Sequence, residues 1–440
     1  MKLKKCFSLL LALLLLSAMA GCAAGEETLS TTTEPSTEPT QETTQATTEA
    51  TEPDFSSDTT HKYLTDDPIL IARREAAEAH MRASCNFIWR NEEDLLYTVS
   101  SGITPDQATG SSRLELKAGR LYRGMPYSFA GTSMSVFREY LSEPDAKGIQ
   151  SLSGMDWQIM SGGSKETALV GTDCYGAIVK AWGQVNASII PKPVRTMVPA
   201  NGYLRVGNYT SGEDENPKTE KVCEANGEQT MYEAYALLQA ADMIIYTDHA
   251  MMVAEVRVVR DATGAIDPFS STVTVLEQTR VHFREEKKQF DEALGEDVYA
   301  ISGIDRVFKF RSLYNTGYMP VTCKELIDPT PIADPEITDS LTEHTIDTVC
   351  TGTLSCNWYM DNVFITITDQ SGAVVQKLNM VATRGGLKEI DLQQFPTDYP
   401  LRILGSLDPS ALPAGEYRCT MVVRLGSEEE FTVRDFTFTR

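Results

Sequence analysis

The sequence predicts an α+β fold: a mixed domain on an antiparallel sheet, followed by a small all-β sandwich. Three observations predict it. Apolar residues recur at helical spacing along Cys174, Ala177, Ile178, Ala181, Trp182 and Val185. Strand-like runs at Met243–Tyr246 and His249–Val259 are joined through turn residues 261–271 to a third, Thr272–Thr279. Beyond a proline-rich segment the apolar period is two throughout. At 440 residues the chain has room for two cores.

Residues 1–22 read as an export signal. Lys2, Lys4 and Lys5 precede an apolar run, Phe7–Leu16, too short to span a bilayer as a helix, and the small-residue stretch SAMAGC follows. Met19-Ala20-Gly21-Cys22 resembles the bacterial lipobox, with methionine where leucine is commoner. The resemblance implies a lipidated Cys22, the lipid bilayer as partner, and an extracytoplasmic, membrane-anchored lipoprotein of a bacterium. Residues 23–60 are rich in Thr, Glu and Pro and nearly devoid of large apolar side chains, so a disordered linker is expected. Three signal lysines and nine linker acids account for part of the net charge of −23, leaving −17 on the folded part. Such a surface argues against nucleic acid as a partner.

The first folded domain is expected over 61–326. It opens with a helix, Pro68–Arg90, whose apolar side reads Ile69, Ala72, Ala76, Ala79, Ala83 and Phe87. His80 within it, and His61 and His344 elsewhere, read as packing or edge residues. Gly124, Pro126 and Gly131 break regular structure around Tyr122 and Tyr127. Residues 132–171, with SGGS at Ser161–Ser164, and the acidic stretch 212–226 read as surface excursions.

Thr172 or Asp173 is placed to cap the next helix, which puts Cys174 in its first turn. There the helix dipole favours thiolate over thiol, making Cys174 a candidate nucleophile; the competing reading is a small packed residue. If His249–Val259 and Thr272–Thr279 pair as a hairpin, His249 and Glu277 lie on neighbouring strands. An imidazole there takes the thiol proton, and the carboxylate fixes its tautomer. His282 falls on the opposite face of a continued strand and is the weaker base. Cys85, Cys223, Cys323, Cys350, Cys356 and Cys419 form no CxxC and no zinc pattern, and their redox state is left open.

Three motifs in order carry a resemblance. They are the GxPY loop Gly124–Tyr127, the D-C-x-G start at Asp173, Cys174 and Gly176, and H-A-M-M-V at His249–Val253 followed by a strand with Glu277. Together they resemble the papain-like cysteine hydrolases of the NlpC and CHAP type, over roughly residues 68–324. The resemblance implies a papain-like fold, catalytic Cys174, His249 and Glu277, no cofactor and no metal, and amide bonds of peptidoglycan as substrate. Tyr127 and Asp173 are secondary candidates beside the nucleophile. Thr279 stands where CHAP members typically carry Asn, and Tyr175 replaces the serine usual in NlpC members. Two alternatives accompany this reading: an inactive wall-binding or adhesion lipoprotein, and an acyltransferase of the same fold.

Residues 327–338, with Pro329, Pro331 and Pro335, read as a semi-rigid linker. Over 339–440, hairpins are expected at 363–380 and 417–439, giving a sandwich that is immunoglobulin-like in the broad sense. Its role is left open between wall binding, partner binding and spacing. If the lipobox reading holds, Cys22→Ala releases the protein from membranes, read as loss of the chain from alkaline-washed membrane pellets.

Overall fold

The computed structural model describes residues 55–98, 113–128, 132–153, 158–161, 164–167, 171–189, 196–279, 287–382, 386–393 and 401–440. Cys22 with its signal, most of the 23–60 linker, Gly131 and His282 lie outside the described residues. The chain is mixed α and β, and its two large sheets are antiparallel.

The central sheet contains β1 (Phe55–His61), β2 (Leu204–Arg205), β3 (Met243–Tyr246), β4 (His249–Asp261), β5 (Thr272–Gln278), β6 (Ser302–Lys309) and β7 (Met319–Thr322). Their order is β6-β5-β4-β3-β7-β2, with β1 against the far half of β4. β4 is apolar and buried from Ala250 to Val259 except at Glu255 and Arg257, so most of this stretch is covered on both faces. β1 corrects the expectation of disorder through residue 60. It lacks large apolar residues after Phe55 and is held instead by backbone pairing with β4 and by an Asp58–Arg257 ion pair at 2.5 Å.

Helix α1 spans Pro68–Asn86, capped by Asp67, whose carboxylate accepts from the amides of Ile69 and Leu70. It ends four residues earlier than expected, and Ile88–Asn91 turn into a strand. Its alanine stripe is also corrected: Ile69, Ala72, Ala76, Ala79 and Ala83 face solvent. The buried side is Leu70, Arg74, Ala77, Glu78, Met81, Ser84 and Cys85. Alanine buries little area, so it yields to a face with larger side chains whose charges are paired. Arg74 meets Asp242 at 2.8 Å with both side chains buried, and Glu78 is met by Lys62 and Arg82.

Helix α2, Cys174–Gly183, packs between α1 and the central sheet, and every residue but Tyr175 is buried. Trp182 is fully buried and donates its indole N–H to the Ala241 carbonyl at 2.9 Å. Residues 132–171 include a short helix, Met134–Arg138, and a strand, Gln150–Leu152, within a separate five-stranded sheet. The acidic stretch 212–226 ends in a helix, Thr219–Asn226.

The C-terminal part has β8 (Ile337–Asp339), β9 (Thr353–Asp369), β10 (Val374–Ala382), β11 (Leu387–Asp391), β12 (Leu401–Gly405), β13 (Glu416–Leu425) and β14 (Glu430–Thr439). The order β12-β10-β9-β13-β14 is antiparallel, and β8 and β11 flank the first part of the long β9. Both expected hairpins are present. The alternation Val363, Ile365, Ile367 and Cys419, Met421, Val423 fills one core.

The two parts meet at α2. Lys180 reaches Asp361 of β9 at 2.5 Å, and both are buried. The Tyr359 amide donates to the Ala187 carbonyl at 2.8 Å, and Arg424 meets Glu139 at 3.0 Å. Asp361→Ala leaves the Lys180 ammonium buried without a counter-charge and is expected to cost about 3–5 kcal/mol in urea unfolding. Lys180→Met combined with Asp361→Leu recovers most of that loss, because the buried charge is gone.

Candidate active site

Two extended segments run side by side before α2. The Ser128 amide donates to the Thr172 carbonyl and the Thr172 amide to that of Pro126, both at 3.1 Å. Gly171 is required here, since a Cβ would stand 2.1 Å from the Pro126 oxygen. Gly124 has φ of +103°, and a Cβ on it would overlap the Ser302 hydroxyl. This pairing fixes where Cys174 begins its helix.

Of the two expected caps, Asp173 is the one used: its Oδ1 accepts from the Gly176 amide at 2.8 Å. A side chain at position 176 would lie 2.8 Å from that oxygen, which explains glycine three residues after the cap. Cys174 opens the helix and is 3% exposed. The Tyr127 hydroxyl lies 4.0 Å from its Sγ.

His249 starts β4, and Glu277 lies near the end of the adjacent β5. The strands pair as expected, and the His249 Nε2–Glu277 Oε2 distance is 2.5 Å. The Cys174 side chain is near enough to the imidazole to raise its pKa. With Nε2 turned to the carboxylate, Nδ1 is the nitrogen left for sulfur. Burial opposes a charge on His249, yet its interactions with the Cys174 side chain and the Glu277 carboxylate hold its pKa up at about 10. That burial is incomplete, because 18% of the side chain reaches solvent. Burial works against the Glu277 carboxylate too, but the bond and charge of His249, then Arg306, hold its pKa below the usual value.

Arg306 escaped the sequence reading. It ion-pairs the second oxygen of Glu277, leaving Oε2 for His249. Gly303 of β6 pairs with Glu277 across the sheet, and a Cβ there would come within 2.7 Å of Glu277 Oε1 and 2.8 Å of Arg306 Cδ. Neither carries a local sequence signal: an arginine on an alternating edge strand resembles any solvated one. Thr279 is buried just past β5. His61, His80 and His344 lie elsewhere; His61 meets the Leu238 carbonyl at 3.0 Å and His344 meets Asp339 at 3.1 Å.

The other described cysteines are free thiols, and six of the seven described are buried. Burial pushes the pKa of Cys85, Cys223 and Cys419 up to about 12, the signature of packed, inert thiols. Among the described residues no cluster of His, Cys, Asp and Glu is arranged to hold a metal ion. No family model, curated protein or solved structure matches the chain.

The shifts set a pH window. The raised pKa of His249 contributes stability fully below its ordinary 6.5, and that contribution is lost as pH rises toward about 10. The lowered pKa of Glu277 contributes above its ordinary 4.5 and is lost as pH falls. The stability advantage of the native chain over Glu277→Gln is therefore expected to be largest between pH 4.5 and 6.5. Chemical denaturation at stepped pH checks this, and an advantage that grows toward pH 10 contradicts the assignment.

Proposed function

We propose that this chain is an extracytoplasmic cysteine hydrolase that cleaves amide bonds in cell-wall peptidoglycan, as an endopeptidase or amidase, and is held to the membrane through Cys22. The observation that carries the reading is the hydrogen-bonded His249–Glu277 pair beside Cys174, which opens a buried helix and raises the pKa of the imidazole. A thiol, a base and an orienting acid in sequence are the parts nucleophilic catalysis requires. The papain-like resemblance supplies the substrate class, and the immunoglobulin-like description of the C-terminal sheet belongs to the same reading.

In this mechanism Cys174 Sγ attacks the amide carbonyl carbon while His249 Nδ1 carries the thiol proton. With the Gly176 amide taken by the Asp173 cap, the Cys174 amide at the positive end of the helix dipole is the first-turn donor that faces the developing oxyanion. The C–N bond breaks as His249 protonates the leaving amine, giving a thioester. Water, deprotonated by His249, then releases the acid and regenerates the thiol. Glu277 keeps the ring turned and stabilises its charge, as Arg306 does in turn for Glu277.

Incubation with purified peptidoglycan and mass analysis of released fragments tests this. Fragments with new amine and carboxyl ends are expected from the native chain and none from Cys174→Ala. His249→Ala is expected to lower the rate by roughly 10²–10⁴-fold, Glu277→Gln by less, and Thr279→Ala little. Iodoacetamide is expected to label Cys174 ahead of the other described thiols, and more slowly in His249→Ala. Intact peptidoglycan, with labelling indifferent to His249, leaves an inactive wall-binding lipoprotein as the better reading. Transfer of the acyl group to an added amine identifies an acyltransferase.

A further inference from the structure

Away from Cys174 lies a cleft of about 330 Å³, in the range of small-ligand sites. It opens beyond the C-terminal end of α2, at Asn186 and Ser188, between the proline-rich segment and strands β9 and β11 of the C-terminal part. The ten-residue α2 alone places it roughly 15 Å from the thiol.

Its walls are fixed. Arg73 of α1 donates to the carbonyls of Glu325, Asp328 and Thr330 at 2.7–3.0 Å, so the supposed linker is strapped to the first domain. Asn357 is held by the Asp334 carbonyl and the Glu336 amide. Trp358 donates its indole N–H to the Ala333 carbonyl at 3.0 Å. With that donor used, what Trp358 offers the cleft is its apolar ring. Lys388 is exposed, lies over the Tyr359 ring at 5.1 Å, and makes no ion pair among the described residues. Lys324 is mostly exposed and only loosely paired with Asp328, at 3.5 Å. The lining carries Arg73, Lys324 and Lys388 against Glu325 and Asp328, a net positive spot on a strongly acidic chain.

We propose that this cleft binds a carboxylate-bearing sugar unit, its apolar ring face on Trp358 and its carboxylate toward Lys388. Aromatic rings pack well against C–H surfaces, and an unpaired ammonium in a preformed cleft selects an anion. Only the source of that sugar, the muramic acid of a wall glycan, rests on the hydrolase reading. A glycan seated here lies beyond the far end of the helix that presents the thiol, so the cleft holds the strand and does not take part in the chemistry.

The test uses the mature chain carrying Cys174→Ala, titrated by calorimetry with a disaccharide of N-acetylglucosamine and N-acetylmuramic acid. Chitobiose, which lacks the carboxylate, is the comparison. Binding of the muramic disaccharide at least tenfold tighter than chitobiose is expected. Trp358→Ala is expected to lose about tenfold or more, Trp358→Phe to keep most of the affinity, and Lys388→Gln to abolish the preference between the sugars. Equal thermal midpoints exclude misfolding. No binding of either sugar at millimolar concentration, or binding unchanged in Trp358→Ala, overturns the proposal. Digestion of peptidoglycan by the native chain is read separately, so loss of the site and loss of the catalytic reading are distinguishable.

Discussion

The Lys180–Asp361 pair is the constraint on which much of this structure depends. A helix buried along nearly its whole length has no solvent face on which to put a lysine. The ammonium therefore needs a counter-charge, and β9 of the C-terminal part supplies it through Asp361. Breaking such a pair is far more harmful than never having had it. The C-terminal sheet is thus tied to the helix that presents Cys174, and Gly183 gives room for the Gly426 carbonyl beside it. Two stretches of very different sequence character share one buried seam.

A second ion-paired layer orders the site. Arg74–Asp242 fixes α1 to the loop before β3, and Arg306–Glu277 fixes the carboxylate that faces His249. In each case a charge sits where the surrounding surface is apolar, and its partner comes from a distant part of the chain. Such pairs cost desolvation and return specificity of geometry. At Glu277 that specificity is chemical: one oxygen is occupied, so the other points at the imidazole.

Local pattern made much of this legible. The stripe from Cys174 to Val185, the capping residue ahead of it and the alternation around Val275 and Val363 are short-range signals, and each element they predicted is present. The meeting of His249 with Glu277 followed from one hairpin. Failures came where long-range pairing decides. The alanines of α1 had the right spacing and the wrong side, because buried Arg74 and Glu78 look polar until Asp242 and Lys62 are known. β1 has the composition of the linker before it and is a strand only because β4 offers an unpaired edge. Arg306 and Gly303 matter through a neighbour across the sheet, which no window of sequence contains.

The pairing of β1 also has a mechanical side. Tension on the chain ahead of Phe55 enters the fold opposite Asp261, at the end of β4 remote from His249. It must shear a ladder of backbone hydrogen bonds and the Asp58–Arg257 ion pair before it reaches Val256, where β1 ends. From Val256 back toward His249, β4 is flanked by β5 and then β3, neither of which pairs with β1. A pull on the chain ahead of Phe55 thus enters at one end of a strand whose other end carries the imidazole.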